Sequence, residues 1–144
     1  MFLKFSRSLA LQLIGLTSVA VATLAIPASQ SMTGDSVATK FRGEWVPAKA
    51  ACTSSLKLII EPTKVTFAKG TDRAEYRKLE QCFTCMGHDV KDITLLSTDA
   101  MGDSPFMIYL DGSKKKPVVR IDFPNDQKLA TRFPFGAANL KKCK

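Results

Sequence analysis

The sequence predicts a mainly β domain: an antiparallel meander that closes into a small barrel or folds into a sandwich. Three observations carry this reading. Short apolar segments recur at intervals of about ten residues. Within them apolar and polar positions alternate, which puts one set of side chains on each face of an extended strand. Turn chemistry separates them, as in DGSKKKP and PNDQK, which read as hairpin connections. Closure has a physical motive, because it removes strand edges that would pair with other chains. The 144 residues show no internal repeat and no nucleotide-binding glycine pattern.

The first residues, MFLKFSRSLALQLIGLTSVAVATLAIPASQS, read as a secretory signal. Lys4 and Arg7 give a positive start, Leu9 to Ile26 form an uncharged and mainly apolar run, and Ala25, Ala28 and Ser29 supply small residues beside Pro27. Cleavage is expected after Ala28, so residues 1–28 are removed and the product is exported, periplasmic or extracellular. The competing reading is an uncleaved membrane anchor, against which Gln12, Thr17, Ser18 and Thr23 dilute the run. Residues 29–40, SQSMTGDSVATK, are small and polar and read as a flexible lead-in. Residues 41–144 are then a single disulfide-stapled domain, soluble rather than membrane-spanning and expected to be a monomer.

Within that domain the elements follow in order. In FRGEWVP, Phe41 and Trp45 share one face, with Arg42, Glu44 and Val46 on the other. LKLIIE places Leu56, Leu58 and Ile60 together, and KVTFAKG alternates Val65 and Phe67. Residues 73–86 resist a single reading. Asp72 and Glu75 stand at capping-box spacing, Tyr76, Leu79 and Phe83 at helical spacing, and Gly87 is a plausible helix stop. The same stretch reads equally as a strand paired with KVTFAKG through a turn at Gly70, and both readings stay open. ITLLS, PFMIYLDG, PVVRIDF and LATRFPF are strand-like; in PVVRIDF, Val119, Ile121 and Phe123 face one way.

The pair Gly43-x-Trp45 at the start of the first strand resembles the opening motif of lipocalins and their small relatives. The resemblance implies a small secreted β-barrel in which the Trp closes one end, beneath an arginine from the last strand. Arg132, on the last predicted strand, is the residue that fits this part. The plainer reading is that Gly43 and Trp45 begin a core strand.

CFTCMGH holds Cys82, Cys85, Met86 and His88, and with them the chain's only histidine. Haem attachment needs a histidine directly after the second cysteine, and Met86 and Gly87 intervene. A thioredoxin-type thiol needs a helix N-terminus, which neither reading of residues 73–86 provides. A copper or zinc site through Cys82, Cys85, Met86 and His88 is chemically coherent, with Cys52 or Cys143 as a further ligand. Thiols in an oxidising compartment nevertheless tend to pair. Cys52, Cys82, Cys85 and Cys143 are therefore expected to form two disulfides, with three possible connectivities. Loop entropy favours crossed pairings, in which Cys52 joins one member of the CxxC: that loop is worth roughly 4 kcal/mol, against about 2 kcal/mol for Cys82–Cys85.

The formal charge is +8, and removing residues 1–28 lowers it by two. Lys114, Lys115 and Lys116 make a basic tip between strands, and Lys141, Lys142 and Lys144 a second cluster. Solvation and edge protection explain such lysines; the functional reading is an anionic partner such as an envelope surface. Nucleic acid is not expected, because aromatics do not interleave with the basic runs. With one histidine beside cysteines, and with Asp99 and Asp103 sharing a loop as turn formers, no catalytic set is recognisable. The expected function is a non-catalytic binding or interaction module for an unknown small ligand or protein, without a cofactor. Metal binding is the alternative.

Overall fold

The computed structural model describes residues 36–86, 92–99 and 102–144, together with the backbone of Met32–Thr33. The expected signal segment, most of the lead-in, Gly87 and His88 lie outside the described residues. The fold is mainly β and antiparallel. Its strands are β1 (Met32–Thr33), β2 (Gly43–Pro47), β3 (Leu56–Ile60), β4 (Val65–Lys69), β5 (Asp72–Tyr76) and β6 (Glu80–Cys82). They continue with β7 (Ile93–Ser97), β8 (Met107–Asp111), β9 (Val118–Asp122) and β10 (Leu140–Lys142), and one short helix, α1 (Gln127–Arg132), precedes β10. All ten strands join one sheet in the order β1-β6-β7-β8-β9-β10-β2-β3-β4-β5. No helix among the described residues is long and apolar enough to cross a membrane.

The sheet curls into a half-barrel rather than closing. Its order ends on β1 and β5, so the ladder of backbone bonds does not return on itself. Side chains complete the interior instead. Phe67 on β4 meets the Phe106 ring at 5.0 Å and the Phe123 ring at 5.6 Å, across the curl from β8 and β9. Phe133 and Phe135, beyond α1, approach the same Phe67 ring from a third direction. Such aromatic contacts are worth about 0.5–1.5 kcal/mol each beyond the area they bury. Trp45, Leu58, Ile60, Leu96, Ile108 and Leu110 are all buried in the same cluster.

Residues 73–86 are not helical. β5 pairs along its whole length with β4, from Val65 opposite Tyr76 to Lys69 opposite Asp72. Gly70, at a left-handed φ of +64°, makes the tight turn between them. The capping-box spacing was overruled by tertiary contact: Tyr76 packs edge-on against Phe67 at 5.8 Å, and Glu75 reaches Lys64 at 3.0 Å. The helix lies instead at LATRFPF, read from sequence as a strand. Asp126 caps it, its Oδ1 accepting the Leu129 amide at 2.8 Å, so PNDQK is a helix start rather than a hairpin.

The placement of Arg132 changes with it. The last strand is β10, and Arg132 ends α1, where its guanidinium forks onto the Asp72 carboxylate and donates to the Arg73 carbonyl at 2.9 Å. The cation over Trp45 is Lys142 on β10, with Nζ 5.9 Å from the ring centroid. Gly43 belongs to this arrangement. Its φ is +118°, and a Cβ there would press on Lys142 Cε at 3.3 Å.

The disulfides are Cys52–Cys143 and Cys82–Cys85, not a crossed set. Sheet order explains why. Cys143 follows β10 and donates its amide to Glu44 on β2, while Cys52 lies in the β2–β3 connection. β7, β8, β9 and β10 separate β6, which carries Cys82, from β2.

Candidate functional site

One end of the half-barrel gathers several of the features singled out in the sequence. Register identifies that end. Asp111 closes β8 opposite Val118, so the 112–117 hairpin hangs there. β10 runs antiparallel to β9 from Leu140 opposite Val119, which carries Lys141, Lys142 and Lys144 toward the same hairpin. Ile93 opposes Asp111, and Cys82 opposes Leu95, so β7 begins and β6 finishes at this end too.

The segment before β2 crosses it. Val37, which belongs to the expected lead-in, is buried, and its amide donates to the Pro62 carbonyl at 2.7 Å. Arg42 folds back, donating from Nε to the Val37 carbonyl at 2.6 Å and from Nη2 to Ser36 Oγ at 3.1 Å. A turn of 3-10 helix over Thr39–Phe41 then leads into β2. It drives Phe41 inward, so that the Phe41 carbonyl accepts Trp45 Nε1–H at 2.8 Å. Folded structure therefore begins before residue 41. Phe41 and Trp45 do not share one extended strand, as the sequence suggested.

Between this segment and the inner faces of β6, β7 and β8 lies a recess of about 250 Å³. Phe41, Phe83, Leu110 and Ala38 line it on the apolar side, and Gln81, Thr94 and Ser36 are the polar residues among its lining. Gln81 and Thr94 are themselves buried, at 5% and 9% exposure. A mostly apolar pocket with a few fixed polar groups is the usual form of a small-molecule site, although about 300–1,000 Å³ is the common size. None of these lining side chains titrates in the ordinary pH range. A second cleft of about 340 Å³ runs between the end of β9 and the residues after α1, past Phe123, Ala130 and Pro134.

The sequence candidates distribute unevenly. Cys82 and Cys85 close a loop beside the recess; Phe83 within it and Met86 just after it are exposed at 50% and 39%. Trp45 is fully buried and belongs to the core cluster. Lys114, Lys115 and Lys116 are exposed on the hairpin, and Lys141 and Lys142 are exposed on β10. Arg132 takes no part in this end. Gln81 and Thr94 were not singled out, nor was Lys40, whose ammonium sits 3.5 Å from the Gly112 carbonyl and 5.3 Å from the centre of the Phe41 ring. Thr94 was readable in principle, since it shares a strand face with Leu96 in ITLLS.

Charge is organised differently elsewhere. Asp72 is held below its ordinary carboxylate range by hydrogen bonds from Arg132, and Glu75 by Lys64 and Arg77. Lys64 is raised in turn by its bonds to Glu61 and Glu75. At the recess end Asp111 is lowered mainly by the Ser113 hydroxyl and amide, which donate to its Oδ1 at 2.6 and 2.9 Å. Among the described residues no group of three or more His, Cys, Asp or Glu side chains is arranged to hold a metal ion. No protein-family model, no curated protein and no solved structure matches this chain, so its function is argued from this geometry alone.

Proposed function

We propose that the chain is an exported, non-catalytic binding module that takes a small, partly apolar ligand in the recess beside Phe41 and Phe83. One observation carries the reading: two buried polar side chains, Gln81 and Thr94, line a recess together with Phe41, Phe83 and Leu110, with Ser36 and Ala38 beside them. In a core built only for packing, those inward positions would be apolar. Export is the natural companion of the expected signal at residues 1–28 and of two disulfides. Copper or zinc binding at Cys82, Cys85, Met86 and His88 would need free thiolates, and both sulfurs are paired with each other, so we do not favour it.

The test is a fragment screen read by amide chemical shifts on the disulfide-intact protein. Hits that perturb Phe41, Gln81 and Thr94, and that Thr94→Leu abolishes without unfolding the domain, would support the reading. Hits confined to the cleft beside α1 would overturn it. Counting thiols under denaturing, non-reducing conditions tests the metal alternative independently; two or more free thiols would revive it.

A further inference from the structure

The fold gathers lysines from three distant stretches of chain onto the recess end. Lys142 Nζ donates to the Lys40 carbonyl at 3.0 Å, and the Lys40 ammonium reaches Gly112 at the base of the hairpin that carries Lys114–Lys116. Lys141 and Lys144 flank Lys142 and are exposed. The acids here offset them only in part, since Lys114 and Lys40 lie near enough to help lower the Asp111 carboxyl. Asp111 is turned onto Ser113, Glu44 is paired with Lys57 at 2.7 Å, and Asp92 approaches the hairpin through its main-chain carbonyl. None of these gathered lysines makes an ion pair among the described residues. Around β4, β5 and α1, by contrast, Lys64, Arg77 and Arg132 each face a carboxylate.

Beside the lysines stand the two large apolar side chains that the described surface leaves exposed, Phe83 and Met86. Phe83 is continuous with the basic end, because it lines the same recess as Phe41 and the Lys40 ammonium lies over the Phe41 ring; Met86 follows three residues later. Cys82–Cys85 closes the loop from which Phe83 projects, with Met86 next to its second cysteine, so little conformational freedom is lost when Phe83 is buried. Lysines around exposed apolar side chains at one end of a compact domain match a planar anionic interface. The headgroups meet the ammoniums, and the apolar groups enter the acyl boundary. A soluble strand of polyanion would be served better by a basic groove along the side of the sheet, and it would give Phe83 and Met86 nothing to bury against.

We propose that this end docks reversibly on a membrane surface of anionic phospholipid, with Phe83 and Met86 at the interface and the lysines over the phosphates. The proposal is separate from ligand binding in the recess. Lys114, Lys115, Lys116 and Met86 do not line that recess, so substituting them tests the surface alone. The experiment is sedimentation of the disulfide-intact protein with vesicles of phosphatidylcholine containing phosphatidylglycerol, against phosphatidylcholine alone. Binding is expected only to the anionic vesicles and should weaken steeply as salt rises. Lys114→Gln, Lys115→Gln and Lys116→Gln together should weaken it about 100-fold, from roughly 1 kcal/mol per lysine near a charged surface. Met86→Ser should weaken it further at fixed charge. Equal binding to neutral vesicles, or unchanged binding by the triple variant, would overturn the proposal. So would tight binding of inorganic polyphosphate without vesicle binding, which would assign the lysines to a soluble polyanion.

Discussion

Cys52–Cys143 joins residues 91 apart in the chain, whereas Cys82–Cys85 joins residues 3 apart. The first ties the β2–β3 connection to the end of β10, outside the sheet and over the seam where β10 meets β2. It restrains the chain globally, because nearly every strand lies between its cysteines. The second spans one loop at the recess and restrains how Phe83 is presented. Chain entropy gives these bonds different weights, about 4–5 kcal/mol for the long loop and about 2 kcal/mol for the short one. The contrast separates a bond that holds the fold from a bond that shapes a surface.

The sharpest way to break that contrast is to remove each bond in turn. Cys52→Ser with Cys143→Ser should cost about 4–5 kcal/mol, seen as a large drop in urea midpoint. Domains of this size have only about 5–15 kcal/mol in all, so partial unfolding at moderate temperature is expected. Cys82→Ser with Cys85→Ser should cost about 2 kcal/mol or less and leave the sheet intact. Its signature would be local: faster amide exchange at Phe83 and Thr84, and weaker fragment binding in the recess. If the short-loop variant proved the less stable of the two, the division between fold and surface would be wrong.

The same contrast shows which features could be read from sequence. Loop entropy ranked crossed disulfides highest because it describes the unfolded chain, while the folded chain pairs only what its sheet order brings together. The inward faces of β3 and β9 were legible, since Leu58, Ile60, Val119 and Ile121 alternate between clear turns. β5 was not settled, because Asp72 and Glu75 satisfy a helix-start rule as well as a strand face. Only the register with β4 decides between them. Arg132 was assigned to a last strand because LATRFPF alternates; the cap at Asp126 made it helical, and Lys142 took the place over Trp45. The recess was least legible. Gln81 and Thr94 look like ordinary polar strand residues until the sheet order shows which face is inside, and Lys40 sits 72 residues from the hairpin it touches.

One long-range tie uses no sulfur, and it offers the smallest and cleanest test. Arg132 and Asp72, 60 residues apart, hold α1 against β5, and neither residue is bonded to a cysteine. Hydrogen bonding from Arg132 keeps the Asp72 carboxyl below its ordinary value, and Lys64 does the same for Glu75. A carboxylate whose folded pKa is depressed stabilises the fold fully above its unfolded pKa, near 4. That stability is lost as pH falls through the folded value. The acid limb of a stability–pH profile should therefore fall below about pH 4, most steeply at low salt, since both carboxylates are solvent-exposed and screened. Arg132→Ala should flatten that limb by lowering the neutral-pH midpoint by the same amount, a small one because exposed ion pairs contribute little, while leaving the stability at low pH unchanged. The flattening should persist when Cys52 and Cys143 are serine, since the ion pair and the disulfide lie at different seams and share no partner. An acid limb unchanged by Arg132→Ala would mean that other carboxylates carry the acid sensitivity, and that packing of Leu129 and Phe133 alone holds α1 in place.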